Sequence, residues 1–115
     1  MHAIRQWGIL TVVWGREFDG FTWDADKSER CYEERGFDFD YAARIFEGDS
    51  LEWEDHRRDY GEPRFVTVGQ VDDQILIVVW TPRYNMRRII SARPVSRQER
   101  ERFYGERETH QQRDS

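Results

Sequence analysis

The chain has 115 residues, which is enough for one domain around one modest core and excludes two domains. Hydrophobic residues make up 37% of it and charged residues 36%, with 5 Trp, 5 Tyr and 7 Phe, so we expect aromatic side chains to fill much of the core. Cys31 is the only cysteine, which excludes an intramolecular disulfide, and no Cys or His spacing is that of a zinc site.

These features predict a chain that needs no metal and no other cofactor and that works in a reducing compartment, the cytoplasm. The longest apolar stretch near the start, 7–14, has eight residues, whereas about 20 are needed to cross a bilayer. No small-residue cleavage site precedes Arg16 and Glu17, so we expect neither a signal peptide nor association with a membrane.

The formal net charge of −5 argues by itself against a dedicated nucleic-acid binder. The charge is unevenly distributed, because residues 1–56 carry 6 basic and 14 acidic side chains whereas residues 57–115 carry 12 and 9. Every basic residue except Lys27 is an arginine, whose planar guanidinium can hold a phosphate through two hydrogen bonds. An anion-binding surface is therefore expected in the second half, although pairing with carboxylates accounts for most of these arginines. We expect the acidic first half either to bind a partner or to offset the positive charge of the second half.

The first predicted elements are strands and helices in alternation. The β-branched segment 9–14 predicts a short strand, and 21–23 predicts the strand that opens the main domain. Two amphipathic or charged helices follow, with N-caps at Asp24 and Asp38 and with ends at Gly36 and Gly48.

Downstream, the hydrophobic pattern changes to the alternation of strands. Strands are predicted at 51–54, 64–71, 75–80 and 86–92, the middle two being a hairpin. Ser96 and Glu99 form a capping box for a last helix that Gly105 is expected to close.

This order predicts an α+β fold with two N-terminal helices, an antiparallel meander of three to four strands and one C-terminal helix. We divide the chain into an N-terminal extension over 1–20 with a possible extra strand, a main domain over 21–104 and a polar tail over 105–115.

Four segments together resemble the BrnT toxin family: FTWDADKSE at 21–29, GFDFDYAARIF at 36–46, DHRRDYGEPRFVTVG at 55–69 and RRIISARPVSRQERERFY at 87–104. Their common order and spacing make the resemblance specific over 21–104. The chain also departs from the family. Members often carry Asn on the first helix and Lys-His-Gly at its end, where this chain has Cys31 and Glu34-Arg35-Gly36, and residues 1–20 have no family counterpart.

The resemblance implies a compact fold related to RelE-type toxins and a metal-independent endoribonuclease activity that inhibits translation. It also implies neutralisation by a BrnA-like antitoxin with a ribbon-helix-helix DNA-binding part. RNA is then the substrate, and operator DNA is reached only through the antitoxin.

RNA cleavage without a metal requires a base for the attacking hydroxyl, an acid for the leaving oxygen and cations for the phosphate charge. The resemblance favours Arg64, Arg88 and Arg93 as catalytic arginines. In an uninterrupted strand, however, Arg87 shares a face with Arg93 about 20 Å away, and Arg88 lies on the other face unless a bulge intervenes. Three arginines so placed cannot all serve one phosphate, so we expect one of the catalytic set to be structural.

The remaining catalytic candidates are His56, Glu62 and Lys27. An imidazole exchanges a proton near neutral pH, Glu62 could act as a base or orient Arg64, and Lys27 could be a cation and proton donor. Each also has a plainer interpretation as a solvated loop residue, a turn carboxylate or a surface lysine.

We assign substrate binding to Arg83, Arg87 and Tyr104, although core packing beside Phe103 is the stronger interpretation of Tyr104. Two other functions stay open. A catalytically weak or inactive member could serve as an antitoxin-binding co-repressor module, which the departures at Cys31 and Arg35 favour. The second is a plain interaction domain unrelated to toxins, which an adjacent reading frame for a ribbon-helix-helix protein would exclude.

Overall fold

The computed structural model describes residues 17–57 and 59–114, with side chains through Gly105 in the last helix. The strand expected at 9–14 lies outside these residues. The described elements, in chain order, are β1 (Phe21–Trp23), α1 (Ala25–Arg35), α2 (Phe39–Ala42), a 3₁₀-helix (Ala43–Glu47), β2 (Ser50–Glu54), β3 (Phe65–Val71), β4 (Gln74–Arg83), β5 (Met86–Pro94) and α3 (Arg97–Asp114).

The described strands form one mixed sheet in the order β1-β5-β4-β3-β2. Strands β2 to β5 form the predicted antiparallel meander. β1 joins the sheet in parallel with β5, with Phe21 paired to Arg87 and Trp23 paired to Ile89. The α+β class is therefore confirmed, but the sheet has five strands and not three to four, and it is not purely antiparallel. A parallel partner is reached through a crossover, so nothing local in β1 specifies it.

The predicted caps of the first two helices are present. The Asp24 carboxylate accepts from the Lys27 N–H at 3.1 Å, and Gly36 ends α1 with a φ of 85°. Asp38 likewise caps α2 through the Tyr41 N–H. The second predicted helix is not uniform, because the α-helical part ends at Ala42 and the 3₁₀-helix continues to Glu47.

The last helix begins with the predicted capping box. The Ser96 N–H donates to Glu99 at 2.8 Å, and the Glu99 N–H donates to the Ser96 hydroxyl at 3.1 Å. The expected end at Gly105 is wrong, because α3 continues to Asp114. A glycine favours the end of an α-helix mainly by adopting the left-handed conformation, as Gly36 does, whereas Gly105 stays within the helix.

Each side of the sheet has its own core. One side, the helix-covered face, packs against α1, α2 and the 3₁₀-helix, with Phe65, Val78 and Trp80 fully buried there. The other side, the α3 face, packs Phe103 of α3 against apolar residues of β2, β3 and β4, namely Leu51, Val66, Val68, Ile75 and Ile77. Among the described helices, none has the length and apolar character needed to cross a membrane.

A β-bulge in β5 decides which side chains reach each face. Val79 pairs with Ser91 and Trp80 pairs with Ile89, so Ile90 has no partner in β4. Beyond the bulge, Arg93 pairs with Ile77, and before it Arg88 pairs with Thr81. Ile77 and Thr81 are four residues apart in β4 and point to the same side. Arg88 and Arg93 therefore share the α3 face, and Arg87 points to the helix-covered face, which corrects the alternation expected for an uninterrupted strand.

Gly69 lets the 3₁₀-helix lie directly on β3. A Cβ at this position would lie 2.9 Å from the Ile45 Cβ and 3.1 Å from the Ile45 carbonyl oxygen. We expect Gly69→Ala to lower the free energy of unfolding in urea by about 1–3 kcal/mol, because the buried Ile45 cannot retreat without disturbing the core.

The matched control is Gly48→Ala, since a Cβ on Gly48 meets nothing within 4 Å and Gly48 has a negative φ of −126°. We expect this variant to stay within about 0.5 kcal/mol of the wild type. Equal stability of both variants would contradict the close packing at Gly69.

Candidate functional site

Arg64, Thr81 and Arg88 form a row across the α3 face. Thr81 pairs with Arg88 in the ladder, and Arg64 comes opposite Thr81 because Phe65 pairs with Trp80. The buried Thr81 hydroxyl donates to the Pro63 carbonyl at 2.6 Å, which joins the start of β3 to β4. Neighbouring strands lie about 4.8 Å apart, so the two arginine backbones are roughly 10 Å apart. Both guanidinium groups can therefore approach one phosphodiester.

The Arg64 guanidinium is held by an aromatic ring instead of a carboxylate. Its central carbon lies 4.0 Å from the centre of the Tyr60 ring. The Arg64 Nε is buried and has no hydrogen-bond partner among the described residues. A cation–π contact uses the flat side of the guanidinium and leaves its terminal N–H groups for a ligand, whereas the buried Nε is out of reach of one.

Asp55 organises the loop that carries Tyr60. It extends the β2–β3 ladder, because the Asp55 N–H donates to the Arg64 carbonyl at 2.7 Å. The buried Asp55 carboxylate accepts from Arg57 Nε at 2.9 Å and from the Tyr60 hydroxyl at 3.1 Å. The hydrogen bonds from Arg57 lower the pKa of Asp55 to about 2. This carboxylate is therefore a structural anion and a poor proton acceptor at neutral pH.

This loop encloses a cleft of about 500 Å³ that brings together Arg64, His56 and Glu62, three of the residues predicted from the sequence. His56 is exposed, and its Nε2 lies 3.7 Å from Glu54 Oε1. Glu62 accepts a hydrogen bond from Arg83 at 2.9 Å, so the predicted Arg83 is attached to the rim of the same cleft.

Arg93 has a structural partner. Its guanidinium donates to both carboxylate oxygens of Glu99 at 3.0 Å, which ties β5 to the first turn of α3. These hydrogen bonds raise the pKa of Arg93, and the charge of the nearby Arg57 acts in the opposite direction. Arg93 and Arg88 lie opposite Ile77 and Thr81, four residues apart in β4, so they are roughly 13 Å apart along the sheet. Of the three catalytic arginines implied by the resemblance, Arg93 is thus the one whose geometry fits a structural role.

Lys27 and Tyr104 lie outside the cleft. Lys27 is exposed on α1 and lines a small cavity of about 160 Å³ with Ile90 and Ser91 at the edge of β5. Tyr104 is half-buried on α3, with its ring centre 5.7 Å from that of Phe103 and with Arg100 over its ring. The core packing expected for Tyr104 is present, and its role in substrate binding stays a prediction.

Arg87 lies on the other side of the sheet from Arg64 and Arg88. Its guanidinium lies near four aromatic rings, those of Phe46 at 4.4 Å, Phe18 at 4.6 Å, Trp80 at 5.0 Å and Phe21 at 6.0 Å. Burial lowers the pKa of Arg87, an effect that the charge of Glu52 opposes. This position separates Arg87 from the cleft.

Glu52 is a buried carboxylate whose charge acts on Arg87, although no ion pair within 4 Å joins the two side chains. The Trp80 Nε1 donates to the Thr67 hydroxyl at 2.8 Å, and that hydroxyl donates to Glu52 Oε1 at 2.7 Å. Burial raises the pKa of Glu52, against the effects of the Thr67 hydrogen bond and the Arg87 charge. The two charges therefore depend on each other in a poorly solvated place.

Sequence reasoning missed Asp55, Arg57 and Tyr60. Their signal was present in the DYGE segment, where an aromatic residue stands four positions before Arg64 in a polar loop. The sequence does not show that the loop turns back so that Tyr60 covers Arg64.

Comparison with known proteins identifies one family. A family model described as "Ribonuclease toxin, BrnT, of type II toxin-antitoxin system" matches residues 23–99. The match extends from the end of β1 to the capping box of α3 and includes every predicted site residue except Tyr104. A search of curated proteins finds no match. The class is thus that of the ribonuclease toxins of type II toxin–antitoxin systems.

Because the family model matches well over half of the chain, this protein belongs to the BrnT family. The resemblance noted from four sequence segments is thereby confirmed. The family description supports a ribonuclease activity and the existence of an antitoxin partner.

Asp55 makes the stability of the loop dependent on pH. Its pKa falls from 3.8 to about 2 on folding, so the ionised form stabilises the fold above pH 3.8 and this contribution is lost as the pH falls toward 2. We expect Asp55→Asn to be less stable than the wild type at pH 7 and the difference to shrink below pH 3.8. Urea unfolding at several pH values measures this; a pH-independent difference would contradict the assignment.

Arg87 and Arg88 are neighbours whose replacement is expected to lower stability by very different amounts. We expect Arg87→Ala to lower the free energy of unfolding by about 2 kcal/mol, because it removes the side chain that packs among the rings of Phe18, Phe46 and Trp80. Arg88→Ala removes a half-buried side chain with no ion pair among the described residues, so a change below about 1 kcal/mol is expected. Denaturant unfolding compares the two; equal losses would refute the division between the faces.

Proposed function

We propose that this chain is a metal-independent endoribonuclease that cleaves RNA on its α3 face and so inhibits translation. One observation carries the proposal: Arg64 and Arg88 flank Thr81 on one face, and neither has a carboxylate partner among the described residues. By contrast, Arg57, Arg83 and Arg93 are each paired with an acid. Unpaired, partly buried guanidinium groups are suited to a phosphate.

In the proposed reaction the ribose 2′-hydroxyl attacks the adjacent phosphorus. A base takes the hydroxyl proton, the bond from phosphorus to the 5′-oxygen breaks, and an acid protonates that leaving oxygen. The products are a 2′,3′-cyclic phosphate and a 5′-hydroxyl. Arg64 and Arg88 stabilise the negative charge that develops on the phosphate oxygens, which is the role that positioned donors fill best. The need for a 2′-hydroxyl selects RNA over DNA.

His56 is the proton-transfer group that we propose first, since it lines the cleft with Arg64 and is solvent-accessible. Glu62 has a different proposed role. Its hydrogen bond to Arg83 holds the β4–β5 hairpin against the cleft, which makes it an orienting residue. Lys27 lies on α1 and lines a cavity with Ile90 and Ser91 of β5, and it is proposed to contact an RNA backbone that continues from the α3 face past this edge of the sheet.

A BrnA-like antitoxin is the proposed partner. A protein that covers the α3 face would occlude both unpaired arginines and the cleft together, which is sufficient for inhibition. DNA binding belongs to the antitoxin in this proposal, and the toxin reaches operator DNA only through it. The proposed compartment is the cytoplasm, where both RNA and the partner are present.

The test is cleavage of single-stranded RNA by the purified chain in the presence of EDTA. We expect 2′,3′-cyclic phosphate ends in the wild type and a loss of kcat of roughly 10²- to 10³-fold in Arg88→Ala. Arg64→Lys should also fail, since an ammonium lacks the planar pair of donors. Expression of the same variants in cells should rank them as the cleavage assay does, with growth arrest only for those that cleave RNA.

Arg44→Ala is the matched control. Arg44 is paired with Asp72 and lies on the 3₁₀-helix that covers the opposite face, so its removal should leave cleavage unchanged. Wild-type activity in folded Arg64→Lys and Arg88→Ala proteins would disprove the assigned site. A folded wild type that cleaves no RNA but still binds the antitoxin would favour the co-repressor module.

A further inference from the structure

Tyr84 is an aromatic residue that lies outside the packed core. It stands at the tip of the β4–β5 hairpin and is 93% exposed. No hydrogen bond or ring contact of its side chain is present among the described residues. An exposed aromatic ring adds no buried apolar area to the core, so core packing does not explain a tyrosine at this position.

The backbone at Tyr84 is also unfavourable for a tyrosine. Tyr84 has a φ of 53° and Asn85 a φ of 59°, so both central residues of the turn are left-handed. A two-residue hairpin turn of this kind favours Asn, Asp or Gly, and Asn85 fits that preference. A bulky side chain at positive φ is strained. Strain at a residue that stabilises nothing points to a function outside the fold.

The position of Tyr84 connects it with the candidate site. Arg83 and Met86 close the hairpin, and Arg88 follows two residues later on β5. Arg83 and Glu62 are joined at 2.9 Å, which fastens the hairpin tip to the rim of the cleft. Tyr84 therefore follows Thr81 by three residues, roughly 10 Å along the sheet from the Arg64–Arg88 row, and it adjoins the arginine that is fastened to the rim of the cleft.

We infer that Tyr84 is a stacking platform for an RNA base next to the phosphate held by Arg64 and Arg88. The inference rests on the proposed function and adds a residue that recognises a nucleobase. An RNA strand bound through its phosphates directs its bases away from the guanidinium groups. An aromatic ring beside the cleft can stack on one such base, because unpaired bases of RNA are commonly recognised in this way.

Stacking does not require a particular base, because every base has an aromatic face. Tyr84 is thus expected to set where the strand lies in the cleft more than which sequence is cut. The role is one of binding and positioning, and the phenolic hydroxyl takes no part in it.

The decisive variant is Tyr84→Asn, which removes the ring and suits the left-handed backbone. We expect it to be at least as stable as the wild type and to raise KM for a short single-stranded RNA by about 5- to 140-fold. Tyr84→Phe and Tyr84→Trp keep a ring and should cleave with a KM close to that of the wild type.

A substrate series separates stacking from a general effect on the hairpin. An RNA with one abasic position, moved stepwise along the strand, should weaken binding to the wild type at one position next to the cleaved bond. At that position Tyr84→Asn should be insensitive, because the contact is already absent. Equal sensitivity of both proteins at every position, or an unchanged KM in Tyr84→Asn, would overturn the inference.

Two further measurements keep this test separate from the proposed function. Binding of a 2′-O-methyl RNA, which cannot be cleaved, tests the platform even if the wild type proves inactive. If the wild type binds no RNA, both proposals fail together. If Tyr84→Asn binds RNA normally but loses affinity for the antitoxin, the ring is a protein-docking contact and the stacking platform is refuted, whereas the cleavage assay stands.

Discussion

The register shift at Ile90 determines the chemistry of both faces of the sheet. Because Ile90 has no partner in β4, Arg88 and Arg93 are brought to the α3 face on either side of it, while Arg87 points inward. Consecutive arginines therefore meet very different surroundings. Arg87 is enclosed by aromatic rings and balanced by Glu52, whereas Arg88 remains on the face that carries Arg64. A single extra residue in one strand thus separates a cation among aromatic rings from a cation on the face of the proposed site.

The arginines of the α3 face fall into two groups that depend on one another. Those paired with acids shape the surroundings: Arg57 fixes the loop through Asp55, Arg83 fastens the hairpin through Glu62, and Arg93 secures α3 through Glu99. Arg64 has no such acid, and its guanidinium rests on Tyr60. Fixed surroundings matter for the unpaired cations, since charge stabilisation is strongest when the donors need no rearrangement.

The sequence predicted the helix caps and the end of α1, which are determined by interactions between residues close together in the chain. The caps at Asp24 and Asp38, the end of α1 at Gly36 and the capping box at Ser96 and Glu99 are all present, because each depends on neighbours within four residues. The parallel pairing of β1 and the bulge were beyond such signals. A three-residue strand does not specify its partner, and one inserted residue leaves no mark in the alternation of Met86–Pro94. For the site, the family resemblance supplied Arg64 and Arg88, but the contact of Tyr60 with Arg64 depends on the path of the whole loop.

The hydrogen bond from the Asp55 N–H to the Arg64 carbonyl brings the two ends of the cleft loop together at the point where β2 meets β3. A surface loop whose two ends are joined by strand pairing tolerates changes of length and composition, because such changes do not alter the pairing of the strands. The pairing of β2 with β3 therefore does not depend on the residues between Asp55 and Arg64. A replacement at Tyr60 would change the surroundings of the Arg64 guanidinium and leave the backbone positions of Arg64 and Arg88 in the sheet unchanged.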